Sequence, residues 1–534
     1  MMKSVSVLDC TLRDGGYVND WNFGFGSIKS IISRLAKAKI DIIEVGFIDE
    51  NHAYNQDRSI YPDSNSIKPV LENIDVQDSM IVAMIDFGTC SLDKITLQKD
   101  SCLDGIRVIF KKKDQDAAIE YMNAIKEKGY KVFVNPVSAT GYSEHEALTL
   151  IKKIIAIDPY TVTIVDTYGL MHGGDAFKYY KIYDENINPG TIIAYHAHNN
   201  FQLAYSNSIH LINNKTDRPL VVDSSLYGMG KSAGNTSTEL LTMYLNENNG
   251  SSYDIDQILE AIDVDIMKEF NKQRWGYSLP YYIAALNDCH PDYVKHLLNK
   301  KTLAVKTVNE ILIQIPSEMK LSFKKILIES LYSDFQDKYF NDKTSYENLT
   351  TELAGKPILL LGPGGSLVSE ADRISTFIET KKPLVFSINF INDQFPIDYV
   401  FMGNAKRYSQ FFHKIYGEIQ KCKVICTSNI SESGKNIDYK FNYGTLSLDI
   451  DSVSDNPLLM LLQILMKCKC QEVYLAGFDG YSQNGESNYY KEYIPYLYCD
   501  VDLIKRNDII SLYLNQYQEK IKIKTLTKSE YFKN

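Results

Sequence analysis

The segment LDCTLRDGGYVNDW, Leu8 to Trp21, places Arg13 and Asp14 beside two glycines directly after a short apolar run. Much further along the chain, AYHAHNN, Ala194 to Asn200, sets His196 and His198 two positions apart. In a strand, residues two apart share a face, so both imidazoles would project together. One carboxylate and two imidazoles form a donor set for a divalent metal that leaves positions open for a substrate chelating through two oxygens. An HxH pair alone is more often incidental than a ligand pair. What gives it weight is its position at the end of one strand, with Arg13 and Asp14 following the first.

The elements that must position these residues follow from the apolar pattern. Short apolar runs at 5–9, 41–47, 80–86, 103–110, 131–137, 161–166, 191–198 and 219–225 alternate with amphipathic stretches such as 25–39 and 116–129. Near-continuous apolar strands separated by helices imply parallel strands buried on both faces. Eight such units predict a (βα)8 TIM barrel over 1–248, with an open doubly wound sheet as the alternative. Working residues in such a barrel sit at the C-terminal ends of the strands. Arg13 and Asp14 follow the first strand, and His196 and His198 end the seventh.

Residues 249–350 read as a helical accessory region packed against the barrel, opening on an N-cap at Ser252 or Asp254. A second alternating pattern, with apolar runs in 356–367, 382–390, 398–403, 423–428 and 472–481, predicts a separate Rossmann-like α/β domain over 351–534. The polar stretch 344–356 reads as the linker.

Composition bounds the partners. At 534 residues, with 44% hydrophobic and 23% charged residues, the chain is that of a multidomain globular protein. A formal net charge of -10 without a basic block argues against nucleic acid. No apolar run has the length of a membrane span, and no signal peptide is read at the N-terminus. The nine cysteines include no CxxC pair, which favours a reducing, cytoplasmic setting without disulfides.

Three motifs in order, TLRDGG, HAHNN and LYGMGKSAGNTSTE (226–239), resemble the metal-dependent pyruvate aldolase and HMG-CoA lyase-like (DRE-TIM) superfamily over residues 4–300. The segment WGYSLPYYIAALNDCHPDYV (275–294) resembles the 4-hydroxy-2-oxovalerate aldolase branch. The resemblance implies Asp14, His196 and His198 as metal ligands, with Asn235 matching a ligand of the lyase branch. It implies manganese as the metal, with magnesium the other choice, and Arg13 as the group facing the enolate oxygen. Asp166 and Thr167 fall at substrate contacts, or else form a helix N-cap. Asn135 stands on the fifth strand, where biotin-dependent carboxyltransferases need a lysine. The aldolases carry a histidine base three positions after the metal-binding aspartate, and here that position is Tyr17. A phenol with a pKa of about 10 is a poor base at neutral pH, so His52 and Tyr277 join Tyr17 as candidates for proton transfer.

In the C-terminal domain, ILLLGPGGSL sets Gly362, Gly364, Gly365 and Ser366 after a strand, a turn whose backbone amides can approach a phosphate. With DYVFMGNAKRY (398–408) and the late FDGY, it resembles the family 42 sialyltransferase and hydroxymethylpterin diphosphokinase-like proteins. That resemblance implies a nucleotide or nucleotide-sugar site with Asn404 and Asp479 as further candidates. An Asp479 that merely holds a turn is the plainer reading.

These features together predict a divalent-metal aldolase joining or cleaving a 2-oxo acid and an aldehyde, with surface-carbohydrate biosynthesis as the context and a homodimer as its assembly. A Claisen-type acyl synthase is one alternative. A lapsed barrel, with glycosyl or diphosphate transfer in the C-terminal domain, is another.

Overall fold

The computed structural model describes residues 4–300, 303–417, 422–431, 437–448, 450, 453–482 and 503–532. The chain divides into two compact units, Met1–Pro291 with Lys320–Ser322, and Asp292–Met319 with Phe323–Asn534. The helical stretch expected as one accessory region is therefore shared between them.

In the first unit, eight strands close into a parallel barrel: β1 (Val5–Asp9), β2 (Ile42–Ile48), β3 (Met80–Asp86), β4 (Gly105–Phe110), β5 (Lys131–Pro136), β6 (Thr161–Asp166), β7 (Ile192–Ala197) and β8 (Leu220–Ser224). β1 pairs on one side with β8, Val5 to Asp9 against Leu220 to Ser224, and on the other with β2 through Leu8–Ile42 and Asp9–Ile43. Those two pairings complete the ring, so the architecture is a TIM barrel. A two-residue strand, Ile60–Tyr61, adds to β2.

The outer helices form because their apolar residues recur along one face. Phe25–Lys37 buries Ile28, Ile31, Ile32, Leu35 and Ala36, the stripe a helix needs to cover a sheet. Ser143 and Glu146 make a capping box that starts Glu144–Ile157. Asp254 caps Ile255–Ala261 by accepting from the amides of Asp256 and Gln257. No helix among the described residues is long and apolar enough to cross a membrane. None of the eight described cysteines forms a disulfide, and Cys499 lies outside the described residues.

The second unit is built on a seven-stranded parallel sheet. Its strands are β9 (Ile358–Leu361), β10 (Leu384–Ile388), β11 (Tyr399–Met402), β12 (Lys423–Thr427), β13 (Tyr439–Phe441), β14 (Glu472–Ala476) and β15 (Lys522–Thr525), in spatial order β13-β12-β11-β10-β9-β14-β15. The chain runs outward from β9 to β13, then returns to place β14 on the other side of β9. Apolar cores cover both faces. The expected linker is instead a helix, Lys343–Leu353, because Tyr346, Leu349 and Leu353 recur on one face and are buried in this unit's core.

Candidate functional site

At the C-terminal ends of the barrel strands, a cavity is lined by Arg13, Asp14, Tyr17, Arg107, Asn135, Thr167, His196, His198 and Lys231, with Met84, Ile109 and Val165 as its apolar wall. Arg13 and Asp14 reach it from the short helix Thr11–Asp14 after β1. His196 lies on β7 and His198 just past its end. Ligand atoms of Asp14, His196 and His198 all lie within 4.8 Å of one another, and all three residues are buried.

Each member of that cluster is held from outside. His196 Nδ1 is 3.0 Å from Asp223 Oδ2, and His198 Nδ1 is 3.0 Å from the Lys231 carbonyl. Occupying both Nδ1 atoms leaves Nε2 as the ring nitrogen available for coordination. Asp14 Oδ2 accepts from Asn235 Nδ2 at 2.7 Å and from the Lys231 amide at 3.2 Å. Burial alone would raise the Asp14 carboxyl, but Arg13 and the two histidines outweigh it and hold the group well below the usual carboxylate range. Burial pushes His198 down to about 4, against the pull of Asp14. Asp14 is thus ionised and His198 neutral near pH 7, the states a metal requires.

The fit to a divalent cation has a second support. Asn235 Oδ1 is buried with no hydrogen-bond partner, a costly condition that a cation would relieve. Gly230 permits this arrangement, since a Cβ there would stand 2.4 Å from Asn235 Nδ2 and 2.6 Å from Asp14 Oδ2.

Three charged residues, Arg107 in the cavity lining and Glu44 and Asp223 behind it, are not singled out by the sequence reading. Arg13 Nε donates to Glu44 Oε2 at 2.8 Å, Arg107 Nη1 lies 3.2 Å from the same oxygen, and Arg107 also pairs with Asp223. Glu44, Arg107 and Asp223 are each isolated charges inside apolar strands (DIIEVGF, LDGIRVIF and PLVVDSS), and that is the signal that could have found them. Buried charges are sustained only when paired. This chain of ion pairs fixes the Arg13 guanidinium and the His196 ring together.

Of the other residues predicted from sequence, Tyr17, Asn135 and Thr167 line the cavity. Tyr17 packs edge-on against Trp21 and Phe47, and burial together with the Asp14 charge pushes its phenol up to about 12. Asn135 accepts from Arg107 at 3.2 Å, and Thr167 accepts from the Ser138 amide at 2.8 Å. Asp166 does not line the cavity but holds the following turn, accepting from the amides of Leu170 and Met171. His52 and Tyr277 are not among the lining residues either. His52 lies 3.3 Å from Asp49, and Tyr277 is 55% exposed.

In the second unit, a crevice at the ends of β9 and β14 is lined by Pro363, Gly364, Asn404, Arg407, Asn456, Asp479 and Arg506 among others. It lies where the strand order reverses, the place at which open α/β sheets bind ligands. Ser366 faces Asp479 directly: its amide donates to Oδ2 at 2.8 Å and its hydroxyl to Oδ1. The glycines of the turn have a packing reason as well. A Cβ on Gly362 would stand 2.6 Å from the Gly477 carbonyl, and one on Gly364 would stand 2.6 Å from Asp479 Cγ.

The barrel is similar to known proteins. Residues 4–264 match the HMGL-like family. The barrel is thereby similar to that family. Its relatives include the 4-hydroxy-2-oxovalerate aldolase of Pseudoalteromonas translucida, 24% identical over 290 residues that make up 52% of this chain and 83% of that protein. The oxaloacetate decarboxylase of Mycobacterium tuberculosis is 23% identical over 57% of this chain and 89% of its own. The 2-isopropylmalate synthase of Sulfolobus acidocaldarius is 28% identical over 54% of this chain and 72% of its own. The barrel is thus similar to aldolases, a decarboxylase and acyl synthases at low identity, and its Asp14, His196 and His198 form a candidate metal centre.

Proposed function

We propose that the barrel is a divalent-metal-dependent carbon–carbon lyase that forms the enolate of a 2-oxo acid such as pyruvate and joins it to, or releases it from, an aldehyde. The observation that carries this reading is the buried Asp14–His196–His198 cluster with Arg13 beside it in one cavity. Asp14, His196 and His198 would hold the cation, manganese or magnesium, with the Asn235 side-chain oxygen as a further donor. When bound, such a cation supplies Lewis-acid polarisation of the keto oxygen.

The chain's own residues do the rest. Removal of a C3 proton from the 2-oxo acid leaves negative charge on the C2 oxygen, and Arg13 is placed to offset it. Ion pairs to Glu44 and Asp14 lock its guanidinium in orientation, so little reorganisation accompanies the charge change. The C3 carbon then bonds to the aldehyde carbon, and the aldehyde oxygen takes up a proton. A phenol pushed up to about 12 keeps its proton at neutral pH, which supports Tyr17 as a hydrogen-bond donor to that oxygen rather than as the base.

The test needs no knowledge of the aldehyde. Pyruvate is incubated with the protein in deuterated water, with and without manganese, and loss of its methyl proton signal is followed by NMR. Metal-dependent exchange that disappears in Asp14→Ala supports enolate formation. Absence of exchange from metal-loaded wild-type protein would sink the reading.

For the second unit, the crevice at the strand reversal supports an anionic ligand of nucleotide or nucleotide-sugar type, because Arg407 and Arg506 both line it beside the Gly364 turn. Titration of the full chain with CMP and CDP by calorimetry checks this, and a heat signal unaltered by Arg407→Ala counts against it.

A further inference from the structure

Lys231 lies in the glycine-containing loop that follows β8, and its side chain offers no ligand atom to the metal cluster, although its charge helps to hold the His198 imidazole neutral. Its backbone, however, is pinned there from both sides. The amide donates to Asp14 Oδ2 at 3.2 Å and the carbonyl receives His198 Nδ1 at 3.0 Å. A lysine on a surface loop is ordinarily a mobile, solvated charge. This one is anchored to two cluster residues, so its side chain always starts from the same point on the cavity wall. The ammonium lies 5.0 Å from the centroid of the Tyr17 ring, a cation–π contact that holds it over the mouth.

The cations of the cavity differ in how they are neutralised. Arg13 is paired with Glu44 and Asp14, and Arg107 with Glu44 and Asp223. Among the described residues, no carboxylate oxygen lies within 4.0 Å of the Lys231 ammonium. Asp86, at the end of β3, feels its charge at longer range without forming an ion pair. Depth separates them too. Arg13 is 3% and Asp14 1% exposed at the floor, whereas Tyr17 is 43% exposed and Lys231 is partly exposed at the mouth. A 2-oxo acid chelated at the floor leaves the mouth to the second substrate.

We propose that Lys231 is a specificity-determining residue that selects a second substrate bearing an anionic group, a carboxylate or a phosphoryl group, at the end remote from its aldehyde carbon. The inference rests on the aldolase reading and narrows its substrate class. An unpaired ammonium in a partly desolvated wall favours a charged partner, and a neutral chain of equal length forgoes that bond.

The experiment separates the two readings. Wild-type, manganese-loaded full-length protein is first checked for pyruvate methyl exchange. Then kcat/KM is measured with pyruvate and each of three aldehydes: butanal, succinic semialdehyde and glycolaldehyde phosphate. At least one charged aldehyde should exceed butanal by about tenfold or more, the scale of one charge-assisted hydrogen bond. Added salt should narrow that gap. The better of the two charged aldehydes identifies the group as carboxylate or phosphoryl. Lys231→Met should remove the preference and Lys231→Arg should keep most of it.

A binding readout stands beside turnover. By calorimetry, 2-oxoadipate should bind the manganese-loaded protein about tenfold or more tightly than 2-oxohexanoate, and Lys231→Met should equalise them. Exchange in wild type with equal handling of charged and neutral ligands overturns the Lys231 proposal alone. So does a preference that survives in Lys231→Met. Absence of exchange overturns the aldolase reading, and the selectivity proposal falls with it.

Discussion

Asp223 Oδ2 lies 3.0 Å from His196 Nδ1 and also pairs with the Arg107 guanidinium, so one buried carboxylate on β8 orients a ring on β7 and balances a charge on β4. Three strands beyond β1 and β2 are thereby tied to Arg13, because Arg107 shares Glu44 with it. The cavity floor is one electrostatic unit rather than a set of independent ligands.

Removing the Asp223 charge tests that unit. Burial alone would raise this carboxyl, but Arg107 and His196 outweigh it and hold the group below the usual range, so it is ionised at neutral pH. Asp223→Asn keeps the shape and loses the charge that fixes the His196 ring. Manganese affinity, read by calorimetry, should drop about 10- to 100-fold. An affinity equal to wild type would show that Asp223 serves the barrel's packing and not the cluster.

How much of this was legible beforehand depends on what each residue competes with. The barrel strands announced themselves because burial on both faces demands unbroken apolar runs; β1, β3 and β6 coincide with their runs, and the others differ at the ends. The short strands β13 and β15 carried no such run. Residues 344–356 looked like a linker because a polar majority hid Leu349 and Leu353, one turn apart on a buried face. At the site, Asp14, His196 and His198 were readable through motif and spacing. Glu44, Arg107 and Asp223 show in the sequence as lone charges within apolar strands, but which of them pair emerges only when the barrel closes and brings three separate strands together.

His198 gives the acid limb of metal-free stability a definite sign. Its imidazole is pushed down to about 4 by burial, against the roughly 6.5 of an unfolded chain. Between those values the unfolded chain binds a proton that the folded one refuses, so stability present above pH 6.5 is lost as pH falls toward 4. The full loss is about 3 kcal/mol, of which about 2 kcal/mol is gone by pH 5. Asp14, held well below its ordinary range by Arg13 and the histidines despite burial, adds a loss in the same direction at lower pH. Asp9 and Asp166, both pushed up to about 6 by burial, oppose the trend, so the comparison needs a matched variant. In chelator-treated protein, denaturant titrations at pH 7 and pH 5 should show wild type losing more stability than His198→Gln. Equal losses would mean that His198 titrates normally in the folded barrel.

The glycine turn of the second unit offers a prediction that separates packing from ligand binding. A Cβ at Gly364 would meet Asp479 Cγ and the Gly477 carbonyl, both at 2.6 Å, with backbone on one side and an anchored carboxylate on the other. That carboxylate is tied to Ser366 by two hydrogen bonds, so it cannot move aside cheaply. At Gly365 the nearest atom to a Cβ is Asp479 Oδ2 at 3.8 Å, and the backbone is right-handed. Gly364→Ala should therefore destabilise this unit by about 1–3 kcal/mol, as overpacking does. Gly365→Ala should stay within about 0.5 kcal/mol of wild type or gain slightly from a stiffer unfolded chain. Circular dichroism melts of both variants check this, with the barrel transition as the internal reference. If Gly364→Ala melts like wild type, the turn is looser than its contacts require, and the glycines would be better explained by a ligand approaching the crevice than by Asp479 filling it.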